Sequence, residues 1–113
     1  MRNWYLYLED IHQSCEKVLR YTAGLTKEDF LIDELRYDAV IRNLEVMGEA
    51  AKKIPHEVRY RHGEVPWERI SGLRNVIAHA YFGIDDDIIW DIVKNHVPRL
   101  RDLTGKMLNE PRQ

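Results

Sequence analysis

The apolar residues of this chain recur at intervals of three and four, and nowhere do they alternate with a period of two. Helices can bury such a pattern and strands cannot, so a sheet is excluded before any motif is considered. No internal repeat is present, and 113 residues suffice for one core and little more. The expectation is one all-α domain over residues 1–113. It would be an up-and-down bundle of about four to five helices with a frayed tail over about 109–113.

Capping and breaking residues divide the bundle. Asn3 is a good N-cap and Gly24 a good C′ residue. A first helix is expected between them, burying Trp4, Leu8, Ile11, Cys15, Val18 and Leu19. Thr26 with Asp29 three residues on is a capping-box pair for a short connector ending at Ile32. A long helix follows from Asp33 to Ile54, stopped by Pro55. With Leu35 at zero, its apolar arc runs from about 20° to about 180° and holds Val46, Ala39, Ala50, Met47, Val40, Ala51 and Leu44. Asn43 falls inside that arc at about 80°. A buried amide needs partners, and two readings are open: a core amide bonded to neighbouring backbone, or support for a polar site elsewhere. Gly48, Ala50 and Ala51 leave room for another helix to come close.

A short turn around His56 to His62 is stopped by Gly63. Pro66 then opens a helix expected to run to near Gly83. Asp85, Asp86 and Asp87 begin another. Consecutive aspartates match no oxygen-ligand loop, and carboxylates at a helix start need no metal, so no metal site is expected there. Pro98 lies inside the next apolar run and should kink or split it.

The formal net charge is −2, so no global field draws the chain onto nucleic acid. Charge is uneven, however. Lys52, Lys53, Arg59, Arg61, Arg69 and Arg74 face only Glu57, Glu64 and Glu68, with His56, His62 and His79 among them. This stretch could position a phosphate backbone, or be an ordinary solvated surface. Cys15 is the one cysteine, which excludes an intramolecular disulfide and fits a reducing compartment. The run from Trp4 to Leu8 is cut by Glu9 and Asp10, too soon for a signal peptide, and no window approaches the length of a membrane span. A cytoplasmic protein without membrane contact is expected.

The stretch SGLRNVIAHAYFG, residues 71–83, has the sharpest pattern. On a helix with Arg74 at zero, Leu73, Val76, Ile77 and Ala80 share an arc between about 200° and about 300°. The opposite arc carries Arg74, Ala78, Ser71, Asn75 at about 100° and His79 at about 140°. A cation and an imidazole thus stand at its two ends, with small residues and an amide between. Such a face could hold an anion; it could also be a solvated helix face. Gly72 inside the helix costs roughly 1 kcal/mol relative to alanine, which a need for close approach of a phosphate or a partner backbone would explain.

The same residues match a known pattern. Arg74 to Tyr81 reads R-x4-H-x-Y, and the chain resembles the HepT-like toxins of the HEPN superfamily of all-α ribonucleases. The resemblance extends through residues 38–55, the VPW at 65–67, residues 72–85 and the IWDIV at 89–93. It implies a HEPN-like homodimeric bundle that acts as the toxin of a type VII-like toxin–antitoxin pair. Such a toxin cleaves RNA, a tRNA or an mRNA, with no metal or other cofactor. The implied partner is a cognate minimal nucleotidyltransferase antitoxin, in a complex that can be larger than the toxin dimer. Carried over residue by residue, Arg74 and His79 are catalytic and Tyr81 receives AMP; Asn75 is a supporting polar residue. Gly72 and Asn43 join it as supporting residues on the helical reading above.

The chemistry is consistent. RNA carries its own nucleophile, the 2′-OH, so cleavage needs proton transfer and charge stabilisation. Histidine titrates near neutrality and suits the first; arginine forks onto phosphate oxygens and suits the second. One imidazole cannot conveniently serve both proton transfers, and a dimer supplies a second. A different class of function also fits: a non-catalytic dimeric module that docks onto a nucleotidyltransferase and holds a nucleotide or its partner.

Overall fold

A computed structural model describes residues 3–81 and 86–111, with the backbone alone for Ala80 and Tyr81. The first helix, α1, spans Trp4–Thr22, and the Asn3 side chain caps it by accepting from Tyr5 N at 3.0 Å. Gly24 follows with φ +76°, the left-handed conformation that lets the chain turn away. α2 spans Lys27–Ile32 behind a reciprocal Thr26–Asp29 capping box. α3 spans Glu34–Lys52, capped by Asp33, which accepts from Arg36 N at 3.1 Å. Then come α4 at His56–Arg61, α5 at Trp67–Ser71, α6 at Leu73–Tyr81 and α7 at Asp86–Asp91. A π-helical turn at Ile92–His96 leads into α8 at Val97–Asn109. Among the described residues there is no strand, and no helix is long and apolar enough to cross a membrane.

Side chains at the helix ends record the topology. The Tyr5 hydroxyl, near the start of α1, donates to Leu108 O near the end of α8 at 2.9 Å. At the far end of α1, Tyr21 O accepts from Arg36 in the first turn of α3 at 3.0 Å. Both neighbours therefore run antiparallel to α1, the up-and-down arrangement that short connections favour. Between them lie Leu8, Ile11, Cys15 and Val18 from α1, Val40, Leu44 and Met47 from α3, and Val97, Leu100 and Met107 from α8, all buried.

Three features depart from the sequence expectation. The helix expected to run unbroken from Pro66 is two segments, because Gly72 ends α5 (φ −84°, ψ 0°) and α6 starts afresh. A Cβ on Gly72 would sit 3.3 Å from Glu68 O, so this corner is tight within its own turn. The described residues thus form eight α-helical segments and a π turn rather than four to five helices. Second, the buried face of α3 is turned from the expected arc: it reaches Ile41 and Gly48, while Ala39 and Val46 at the other edge are only half-buried. Third, α2 does more than connect: Phe30 is fully buried, with its ring 5.3 Å from Tyr37 and 5.4 Å from Trp90. The expected helix end near Gly83, and Asp85, lie outside the described residues.

Candidate functional site

α6 has two faces. Leu73 and Ile77 are buried and Val76 half-buried, which fixes the helix against the bundle. Arg74, Asn75, Ala78 and His79 are exposed, as the helical arc requires. α6 comes close to α3 because α3 is small at the contact. A Cβ on Gly48 would lie 3.1 Å from Ile70 O and 3.7 Å from the Leu73 Cβ.

Beside that contact runs a groove of about 600 Å³. α1 contributes Tyr7 and Asp10; α3 contributes Arg42, Glu45 and Glu49 with the small Gly48 and Ala50; Lys53 stands at its end. The α5–α6 corner supplies Ser71, Arg74 and Ala78. Its charges sort into engaged and unengaged groups. Arg42 pairs with Glu45 at 3.7 Å and Glu49 with Lys52 at 3.4 Å, and Asp10 is also engaged. Among the described residues, Arg74 and Lys53 make no ion pair. The Ser71 hydroxyl oxygen is buried and likewise meets no hydrogen-bond partner there. Two cations without an ion pair, Arg74 and Lys53, therefore line the groove and are equipped to meet an anion with acceptor oxygens.

The expected site residues divide. Arg74 and Ala78 line this groove, whereas His79 and Asn75 do not. His79 follows Arg74 by five residues, about 140° round the helix, and faces outward beside it. Gly72 lies on the other side of the α5–α6 corner, where it lines an apolar groove with Met47, Val76 and Ile92. Asn43 is half-buried and donates to Ala39 O, four residues back on its own helix, at 2.8 Å. Of its two open readings, the bond to neighbouring backbone is the one observed. The backbone of Tyr81 closes α6; its side chain lies outside the described residues.

The basic stretch does not form one surface. Arg59 is drawn under the end of α3, donating to Ile54 O at 3.1 Å and to Ala51 O at 2.5 Å. His62 is half-buried near Glu110, at 3.4 Å, and its carbonyl accepts from the Trp67 indole at 3.0 Å. Only Lys53 joins Arg74. Lys53 is the site residue that spacing alone did not single out, because it lies in another element. The acidic run is likewise structural in part. Asp86 accepts from the Tyr37 hydroxyl at 2.7 Å, and Asp87 pairs with Lys27. Burial, with that bond to Asp86, pushes the Tyr37 hydroxyl above the usual tyrosine range. Among the described residues no group of three His, Cys, Asp or Glu side chains is arranged to hold a metal ion.

Comparison with known proteins gives this geometry a family. The family described as Ribonuclease HepT-like matches residues 11–107. The probable ribonuclease HepT of Thermococcus cleftensis is 42% identical over 101 residues, covering 89% of this chain and 92% of its own. A candidate RNase of Caldanaerobacter subterraneus is 38% identical over 104 residues, covering 92% of this chain and 93% of its own. Another, from Methanocaldococcus jannaschii, is 42% identical over 92 residues, covering 81% of this chain and 76% of its own. No solved structure gives a significant match. The chain belongs to the HepT-like ribonuclease family.

Proposed function

We propose that this protein is a metal-independent endoribonuclease that cleaves RNA at a cleft shared by two copies, using Arg74 and His79 of each. The observation that carries the reading is the pairing of Arg74 with Lys53 as the unpaired cations of the groove, one step round α6 from the exposed His79. A phosphate in the groove meets Arg74, and the nucleotide beside it passes over the face that carries His79. One His79 removes the proton from the 2′-OH, whose oxygen attacks the phosphorus. The bond from phosphorus to the 5′ oxygen breaks, and His79 of the other copy returns a proton to that oxygen. Arg74 stabilises the charge that builds on the non-bridging oxygens. The products are a 2′,3′-cyclic phosphate and a 5′-hydroxyl. The 140° between the two side chains is awkward for one copy and natural for a cleft between two.

In this reading the protein is the toxin of a toxin–antitoxin pair, and a minimal nucleotidyltransferase silences it. Tyr81 attacks the α-phosphorus of ATP, gains AMP and releases pyrophosphate. Bulk and negative charge then stand at the end of the helix that binds phosphate. The test of the nuclease is cleavage of cellular RNA in EDTA by the purified protein and by His79→Ala. Cleavage by the first alone is expected; equal cleavage by both, or by neither, rejects the catalytic role. The second result leaves the non-catalytic binding module as the better description.

A further inference from the structure

Ile32, the last residue of α2, and Leu35, in the first turn of α3, are each 83% exposed. With Leu25 they line an open concavity of about 800 Å³ whose rim includes Asp29, Glu34 and Asp38. Single exposed apolar residues need no explanation, but two large ones side by side on a fixed corner are unusual. The corner is fixed at several points. Asp33 caps α3 and accepts from Arg36 Nε at 3.0 Å, and Arg36 reaches on to Tyr21 O. Lys27 pairs with Asp87, and Tyr37 donates to Asp86. Lys27 and Arg36 are thereby committed to Asp87 and Asp33, and the rim around the apolar pair stays acidic.

That rim decides what can sit there. The carboxylates repel RNA phosphates and an anionic lipid surface alike. A second copy on the same corner would meet across a two-fold axis and set Asp29, Glu34 and Asp38 against their own duplicates. What fits is a protein surface with an apolar centre and a basic rim. The corner also stands at a telling place. Asp86, bonded to α3, follows Tyr81 by five residues, which span at most about 18 Å of chain. A protein seated on the corner therefore lies within reach of the end of α6 that carries His79 and Tyr81.

We propose that the α2–α3 corner is the docking surface for a basic protein partner. Resting on the toxin–antitoxin reading above, that partner is the nucleotidyltransferase that modifies Tyr81. The test is calorimetric titration of the full chain with a purified minimal nucleotidyltransferase, without ATP, across a salt series. Wild-type binding should weaken as salt rises. The double variant Ile32→Ser, Leu35→Ser should bind at least about tenfold more weakly, as loss of central apolar anchors does. The double variant Glu34→Lys, Asp38→Lys should lose both affinity and the salt dependence. Both should slow AMP transfer onto Tyr81 while cleaving RNA and melting like wild type, because these side chains face solvent. Wild-type affinity in both variants overturns the docking proposal and leaves the partner reading standing. Failure of the wild-type chain to bind overturns both. Loss of RNA cleavage by the wild type bears on the nuclease reading alone.

Discussion

Arg59 and Lys53 belong to one basic stretch of sequence, and the fold gives them different tasks. The Arg59 guanidinium closes the end of α3 through two carbonyls, where a cation is favoured by charge as well as by hydrogen bonding. Its partners, Ala51 and Ile54, meet it only once α4 has folded back, so no spacing rule reveals the commitment. Arg59→Ala should cost about 2 kcal/mol of stability, read from denaturant midpoints, and leave RNA affinity unchanged. Lys53→Ala should do the reverse: an unchanged midpoint, RNA affinity reduced several-fold, and a salt slope smaller by about one. A common effect on either quantity would show that the division is wrong. Arg74 and His79 could be singled out from the sequence because their spacing lies within one helix; Lys53 could not, since its place in the groove depends on where α3 ends. Cys15 offers a separate test. Burial, with Glu16 adding to it, pushes its thiol from 9.0 up to about 12. The folded state keeps a proton that the unfolded chain releases, so stability is intact below about pH 9 and falls as pH rises towards about 12. Urea midpoints should decline over that range, and less steeply in Cys15→Ala. Tyr37, raised in the same direction, keeps part of the decline in the variant.

Among the elements, the contact of α3 with the α5–α6 corner positions the groove, and Gly48 sets its distance. The nearest atom to an added Cβ is the backbone oxygen of Ile70, at 3.1 Å, which cannot swing aside as a side chain can. Gly48→Val should therefore push the α5–α6 corner away at a cost of about 1–3 kcal/mol. Gly63→Val is the control, since a Cβ there meets only Tyr60 O at 3.9 Å. Equal denaturant midpoints for the two variants would refute the argument. The capping signals of α1 and α2 were readable because each acts within a few residues, and the small residues of α3 marked where another helix could come close. Pro98 shows the limit. Its effect on the helix was readable, but its form was not. The chain answers with a π turn in which Val97 N donates to Ile92 O, five residues back. That turn keeps Val93 and Val97 both buried, and it brings Asn95 and His96 back onto Asp91 at 2.6 Å and 3.2 Å. Tertiary packing chose among the ways of bending, and a single helix does not contain that information. The break at Gly72 has the same origin: residue order allows a continuous helix, while the close approach of α3 favours a corner.

As a whole the molecule is a rod of 45 × 26 × 24 Å. Its groove opens between α1, α3 and α6, while His79 points outward from the next face of α6. In the proposed mechanism the cleft forms only when a second copy covers that face, and each cleavage would use both copies of His79. This makes a quantitative demand on mixed dimers. Co-expression of wild-type and His79→Ala chains with different tags allows the heterodimer to be purified through two affinity steps. If each copy worked alone, the heterodimer would keep half the wild-type rate. If one imidazole takes the proton while the other returns it, the heterodimer lacks one of the two proton transfers. Its rate should then fall by about 10²-fold or more, the usual worth of a positioned acid or base. The pH profile separates this from a simple packing loss. Wild type should show a bell, with one histidine deprotonated and the other protonated, whereas the heterodimer should lose one limb of it. A half-rate heterodimer with an intact bell would place the whole site within one copy.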